Sequence, residues 1–166
     1  MAETAATLSA PVDQECVEGY LYVAAPASVL LLRRPPSRGG LWVPVSGKVE
    51  PTDPDLLSAL RRELREETGF VPAGPPRALD WEVRFQGPNG GRWRLRAFAV
   101  ELDAPYSPQL SEEHDAFRWT GLAEARRELH YPDNRDAVGR LQERLALGRA
   151  RPPPPTISPA PALREP

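Results

Sequence analysis

Cysteine is nearly absent from the sequence, and so is any long apolar run. The single cysteine, Cys16, has no partner within the chain, which argues against a secreted fold held by disulfides. No apolar stretch approaches the roughly 18–20 residues of a membrane-spanning helix. Residues 1–15 lack the basic start and the apolar core of a signal peptide. We therefore expect a cytoplasmic protein without a membrane partner.

An excess of basic charge is missing as well. The chain has 21 lysine and arginine residues against 23 aspartate and glutamate residues, a formal net charge of -2. Binding to nucleic acid favours a clustered excess of basic side chains, so no nucleic-acid partner is expected. The hydrophobic content of 40% and the charged content of 27% are those of an ordinary globular protein, and 166 residues suit one domain.

The chain divides into three parts by composition. We predict a flexible leader over residues 1–16, one domain over 17–149, and a proline-rich tail over 150–166. Apolar patterning and turn residues predict strands at Gly19–Ala24, Ser28–Arg34, Leu41–Ser46, Ala78–Gln86, Trp93–Leu102 and Ala116–Trp119, with a hairpin turn at Gly87–Gly91. Strands and helices intermix without regular βαβ alternation, which predicts an α/β fold with a mixed sheet flanked by helices.

The three predicted helices carry start and stop signals. The first is capped by Asp53 and ends at Gly69. The second follows Thr120 as its cap and runs to about residue 129. The third is capped by Asp133 or Asn134 and covers residues 135–147.

The first helix places carboxylates where a surface helix would place leucines. On a helical wheel Glu67 lies about 20° from Leu60, the centre of the apolar stripe, Glu63 about 60° and Glu66 about 120° from it. Like charges this close repel each other unless a cation compensates them. Three such carboxylates suit Mg²⁺ or Mn²⁺, which prefer oxygen ligands. The alternative is a helix of solvated ion pairs such as Arg62–Glu66.

The segment around this helix resembles the Nudix box. Its second half, Arg62–Phe70 (RELREETGF), matches the family pattern except that aromatic Phe70 stands where an aliphatic residue is usual. The first half begins with Gly47 and departs further. Asp53 stands where the family usually has glutamate, and one extra residue precedes Arg62, which we assign to the turn at 52–55.

The resemblance implies a Nudix fold, an α/β/α sandwich, and Mg²⁺-dependent hydrolysis of a pyrophosphate linkage in a nucleotide by metal-activated water. Glu63 and Glu67 would then be metal ligands, and Glu66 would bind the metal or orient its water. The Gly47 carbonyl would be a further ligand, and Arg62 would hold a carboxylate in place by ion pairing.

The general base is expected outside the box. In this family a loop acid often reaches the metal site, and Glu113 precedes the strand at 116–119. The alternative is that Glu112 and Glu113 belong to a solvated loop. His114 is expected to orient a neighbour or to face solvent.

Substrate contacts are predicted for Trp42 and Lys48. Trp42, Trp81, Trp93 and Tyr20 can stack on a base or belong to the core, and the arginines at 92, 94 and 96 can meet phosphates or face solvent. The sequence around Trp42 and Lys48 is similar to that of the dihydroneopterin triphosphate/dATP pyrophosphohydrolase branch of the family. ADP-ribose, nucleoside triphosphates and dinucleoside polyphosphates stay open as substrates.

Two other functions are compatible with the sequence. One is a non-catalytic Nudix-fold module that senses a nucleotide, although such a module usually loses a ligand glutamate and this box keeps all three. The other is a scaffold that docks a partner through its proline-rich tail. The protein is expected to be a monomer or a homodimer.

Overall fold

The computed structural model describes residues 11–150, which form seven strands and three helices. The strands are β1 Gln14–Ala24, β2 Ala27–Arg33, β3 Trp42–Val43, β4 Val45–Lys48, β5 Arg77–Gln86, β6 Arg92–Glu101 and β7 Ala116–Thr120; the helices are α1 Leu56–Thr68, α2 Leu122–Glu128 and α3 Pro132–Ala150. Because β1 begins at Gln14, residues 14–16 of the predicted leader are strand residues. The rest of that leader up to residue 10, and the tail from residue 151, lie outside the described residues.

The strands form one mixed sheet around β1. Strand β6 pairs with β1 in parallel along its whole length, from Gln14 opposite Trp93 to Tyr22 opposite Glu101. The other edge of β1 is shared by two antiparallel partners, β4 next to its first half and β2 next to its end. Strands β3 and β7 extend the sheet from β2, and β5 extends it from β6. The predicted mixed sheet is confirmed.

Helices cover both faces of this sheet. One core lies under α1 and includes Val17, Leu21, Leu60 and Leu64. The other lies under α2 and α3 and includes Tyr20, Tyr22, Val29, Leu31, Leu122, Leu129 and Leu141. Alternate residues of β1 therefore point to opposite cores, as strand geometry requires. The α/β/α sandwich implied by the resemblance is confirmed.

The start of α1 differs from the prediction. Asp55, not Asp53, caps the helix, and its carboxylate accepts a hydrogen bond of 2.7 Å from the Ser58 backbone N–H. Asp53 instead accepts the Glu50 backbone N–H at 2.8 Å within the preceding turn. Either aspartate is a good cap by residue type, but the extra residue in this turn places Asp55 at the boundary. The predicted end is confirmed, since Gly69 has a φ of 71°.

The other helix starts also correct the prediction. Thr120 is the last residue of β7, and α2 begins after Gly121 without a side-chain cap. Helix α3 begins at Pro132, so Asp133 and Asn134 lie in its first turn instead of capping it. Proline suits a first helical turn because its missing N–H is not needed there. None of the helices within residues 11–150 is both long and apolar enough to cross a membrane.

Candidate active site

Strand β4 approaches α1 most closely at Gly47. A Cβ atom added to Gly47 would lie 2.0 Å from the Glu63 carboxyl carbon. Only glycine allows the backbone of β4 and the carboxylate of α1 to occupy this position together. The Gly47 backbone and Glu63, far apart in the sequence, are therefore neighbours in the site.

Glu67 is buried without full compensation of its charge. Its side chain is only 4% exposed, and Oε2 has no hydrogen-bond partner among the described residues. Burial, followed by the charges of Glu63 and Glu113, raises the pKa of Glu67 to about 9, against a backbone hydrogen bond from Ser46 that lowers it. Burial also raises the pKa of Glu63, although its hydrogen bond with Arg62 opposes the shift. A nearby cation would relieve both carboxyl groups.

Arg62 connects the box to the turn before α1. Nη1 donates to Glu63 Oε1 at 2.8 Å and to Glu66 Oε2 at 3.3 Å. Nη2 donates to Asp53 Oδ2 and to the Lys48 carbonyl, both at 2.8 Å. The hydrogen bond to Arg62 holds the pKa of Asp53 below its usual range. Asp53, although displaced from the family position, thus fixes the arginine that holds the box glutamates.

A divalent cation fits the donor set of this site. Carboxylates and backbone carbonyls are among the ligands that Mg²⁺ takes in proteins. The Oε2 atom of Glu67 is a buried carboxylate oxygen without a hydrogen-bond partner among the described residues, so it is available to bind a cation. Within residues 11–150, however, no three acidic, histidine or cysteine side chains converge to metal-binding distance. Arg62 forms ion pairs with Glu63 and with the largely exposed Glu66.

Glu113 lies beside the box, as the sequence predicts. It lines a polar cavity of about 360 Å³ together with Arg34, Arg38, Ser46, Glu67 and His114. Its negative charge acts on both Glu63 and Glu67, and Arg38 lies 3.9 Å from its carboxylate. Glu112 does not line this cavity and is exposed. The position suits a loop acid that serves the metal site.

His114 is buried in the same cavity wall and does not face solvent. Its Nδ1 has no hydrogen-bond partner among the described residues. Burial lowers the pKa of His114, which favours the neutral ring. This position does not agree with the expectation that His114 faces solvent. It is compatible with the alternative that His114 orients a neighbouring residue.

A second, larger cavity of about 510 Å³ opens next to Gly47. Its apolar wall consists of Phe85, Trp93, Leu95 and Tyr131, and its other lining residues are Cys16, Glu18, Arg34, Val43, Pro44, Ser46, Gly47, Lys48, Asp133 and Asn134. Lys48 Nζ lies 4.8 Å from the centre of the Trp93 ring. Aromatic walls with a few polar groups are typical of small-molecule sites of this size.

Trp42 does not line either cavity. The guanidinium groups of Arg33 and Arg118 lie 5.9 Å and 4.8 Å from the centre of its ring, which packs against the core under α2 and α3. The predicted substrate contact of Trp42 has no support in this geometry. Among the aromatic residues considered from the sequence, Trp93 is the one in the cavity wall, while Tyr20 is buried in the core.

The cavity also contains polar residues that sequence reasoning missed. Asn134 Nδ2 donates a hydrogen bond of 2.8 Å to Glu18 Oε2, and the Tyr20 hydroxyl donates to the other carboxylate oxygen. Burial raises the pKa of Glu18 to about 7. A glutamate within the apolar run of β1 was the available signal. Arg34 and Ser46 were missed too, and each lines both cavities.

Comparison with known proteins yields one family match and several relatives. A family model described as the NUDIX domain matches residues 19–141. An octanoyltransferase of Myxococcus xanthus is 35% identical over 117 residues, which are 69% of this chain and 32% of that protein. The asymmetrical bis(5'-nucleosyl)-tetraphosphatase of Mus musculus is 37% identical over 92 residues, 51% of this chain and 58% of that protein. The chain thus spans 32% of the first relative and 58% of the second.

Solved structures share the fold. A C. elegans Ap4A hydrolase in a binary complex superposes with a TM-score of 0.67 at 23% identity, covering 80% of this chain and 98% of that one. The E. coli dihydroneopterin triphosphate pyrophosphohydrolase superposes with a TM-score of 0.66 at 21% identity, covering 77% and 95%. At these identities the similarity extends to the fold alone.

Proposed function

The chain belongs to the Nudix family, and from that premise we propose that it is a pyrophosphohydrolase that cleaves a phosphoanhydride bond in a nucleotide. The observation that carries the proposal is Glu67, a buried carboxylate with an unpartnered oxygen and two acidic neighbours. Burying such a carboxylate costs folding free energy, so we expect it only where the function of the protein requires it. A solvated helix of ion pairs gives no reason for it.

Glu63, Glu66, Glu67 and the Gly47 carbonyl would hold Mg²⁺, with Mn²⁺ as an alternative of the same chemistry. The bound metal would neutralise charge on phosphate oxygens and polarise water. Arg62 acts through the glutamates that it holds. Its link to Asp53 and to the Lys48 carbonyl fixes it to the turn before α1, so the carboxylates stay oriented toward β4.

Glu113 is our candidate for the general base. It shares a cavity with Glu67, and its carboxylate is free of short ion pairs among the described residues, since Arg38 lies at 3.9 Å. An exposed acid at the edge of the site can accept a proton from the attacking water and pass it to solvent.

The larger cavity is the proposed site for the nucleoside. Its aromatic wall suits a base, and Lys48, lining the same cavity, can approach a phosphate from the side of β4. The relative named as a bis(5'-nucleosyl)-tetraphosphatase supports testing dinucleoside polyphosphates first among the candidate substrates. Trp42 is not part of this proposal.

The test is a substrate panel. Nucleoside triphosphates, ADP-ribose and diadenosine tetraphosphate are incubated with the protein and Mg²⁺, and the products are separated by chromatography. We expect cleavage of at least one nucleotide at a phosphoanhydride bond, and none when EDTA removes the metal. Binding without cleavage would favour the nucleotide-sensing module, and neither binding nor cleavage would contradict both.

A further inference from the structure

The larger cavity, called the apolar cavity below, and the polar cavity that contains Glu113 adjoin each other along a shared wall. Of all their lining residues, Arg34 and Ser46 are the two that belong to both. The apolar cavity holds no box carboxylate, whereas the polar cavity contains Glu67 and Glu113. We call Glu67 and Glu113 the acidic cluster. A ligand that reaches from the aromatic wall to this cluster must therefore pass Arg34 and Ser46.

Arg34 brings an uncommitted positive charge to this wall. Its half-buried guanidinium makes no hydrogen bond or ion pair with any side chain of residues 11–150. Most other arginines of the region are paired more closely. Arg33 pairs with Asp115 at 2.8 Å, Arg62 pairs with the box, and the arginines at 92, 94 and 96 each pair with an acidic residue. Arg38, which also lines the polar cavity, lies 3.9 Å from Glu113. The charge of Arg34 acts on Glu67 and His114, which places it beside the acidic cluster.

We propose that Arg34 binds the polyphosphate of the substrate where it passes from the apolar cavity to the acidic cluster. This inference rests on the proposed function and adds a positioning residue and a direction of binding to it. The base lies against Trp93, the phosphates cross the wall at Arg34, and the bond to be cleaved lies on the side of Glu67. A guanidinium suits this task because it donates several parallel N–H bonds to phosphate oxygens.

This arrangement predicts which parts of a nucleotide contribute to binding. A ligand must carry both an aromatic base for the first cavity and at least two phosphates to cross the wall. Adenosine alone lacks the second part, and inorganic pyrophosphate lacks the first. We therefore expect both to bind far more weakly than ATP, ADP-ribose or diadenosine tetraphosphate.

The experiment measures binding instead of turnover. Isothermal titration calorimetry is carried out with ATP, diadenosine tetraphosphate and adenosine on protein carrying Glu113→Gln, which removes the candidate base and slows hydrolysis but keeps the proposed metal ligands, with Mg²⁺ present. Adding Arg34→Gln is expected to weaken binding of the two nucleotides by roughly 10- to 100-fold, the usual effect of losing a charged hydrogen bond. Binding of adenosine should change less than about twofold, and Arg34→Lys should restore part of the nucleotide affinity because it keeps the charge.

Arg33→Gln is the matched control. Arg33 is the preceding residue, is similarly half-buried, and is bound to Asp115 away from both cavities. It should leave nucleotide binding unchanged. Equal loss of affinity in the Arg33 and Arg34 variants, an equal effect on adenosine and nucleotides, or no effect of Arg34→Gln would each overturn the proposal. Absence of nucleotide binding before Arg34 is changed would instead contradict the proposed function itself.

Discussion

At the scale of single residues, buried carboxyl groups determine how this protein responds to pH. Glu18 has a pKa raised to about 7 in the folded chain from an ordinary value of 4.5, because it is buried. The unfolded chain therefore loses this proton first as the pH rises, so the contribution of Glu18 to stability is full below about pH 4.5 and lost by about pH 7.

Replacing Glu18 by glutamine removes this proton while keeping an acceptor for Asn134. We predict that the free energy of unfolding of Glu18→Gln falls less between about pH 5 and pH 8 than that of the native protein. Urea unfolding at several pH values measures it, with the exposed Glu112→Gln as reference. Parallel pH curves for the native protein and Glu18→Gln would show that Glu18 does not titrate in this range.

Glu113 differs from its neighbour in position, not in residue type. It lines the cavity that contains Glu67, whereas Glu112 does not. We predict that Glu113→Gln lowers kcat on the order of 100-fold, as loss of a positioned base does, while Glu112→Gln changes it little. Steady-state kinetics with the nucleotide found in the panel measures both. Small and equal effects of the two substitutions would indicate that a box glutamate, not Glu113, is the general base.

At the scale of elements, β4 and α1 approach each other at Gly47, where an added Cβ would come closer to a neighbouring atom than at any other glycine of residues 11–150. A methyl group on Gly47 meets the Glu63 carboxyl at 2.0 Å, so α1 or its carboxylate must move. We predict that Gly47→Ala lowers both activity and melting temperature. Gly74→Ala is the matched control, since a Cβ there has no atom within 4 Å. A fully active Gly47→Ala protein would mean that the site does not depend on this contact.

The two aspartates before α1 should separate helix stability from site geometry. Asp55 caps the helix, so Asp55→Ala is expected to cost about 1 kcal/mol of unfolding free energy. Asp53 binds Arg62 instead, so Asp53→Ala is expected to lower kcat more than it lowers stability. Chemical denaturation combined with kinetics distinguishes them. If Asp53→Ala destabilised the helix and Asp55→Ala did not, Asp53 would be the cap after all.

The elements themselves could largely be predicted from the sequence. Strand alternation and the apolar stripe of α1 are local properties, so the sheet, the helices and the burial of Glu67 follow from residue spacing. The ends were less predictable, because two nearby aspartates offer equivalent caps and the choice depends on where Arg62 finds its partner. The box glutamates could be singled out by their spacing and by the resemblance to the family motif, and Glu113 by its position before a strand, while the roles of these residues stay predictions.

At the scale of the whole molecule, the residues of the larger cavity could not be predicted. Glu18 comes from β1, Trp93 from β6 and Asn134 from α3, and the sheet pairing alone brings them together. No local pattern marks such residues, and the sequence alone does not distinguish Trp93 from Trp42 as a residue of this cavity. The role proposed for Arg34 could not be predicted for the same reason, because it depends on two cavities that form only in the folded chain.

The whole account depends on a divalent cation at Glu67, and one pair of variants tests it most directly. Hydrolysis of the panel nucleotide and the melting temperature are measured for Glu67→Gln and Glu112→Gln, each with Mg²⁺ and with EDTA. We predict that Glu67→Gln loses activity on the order of 100-fold or more and no longer gains stability from Mg²⁺, while in EDTA it is at least as stable as the native protein. Glu112→Gln should behave like the native protein throughout. Activity of Glu67→Gln within a few-fold of native, with the same stabilisation by Mg²⁺, would contradict the account.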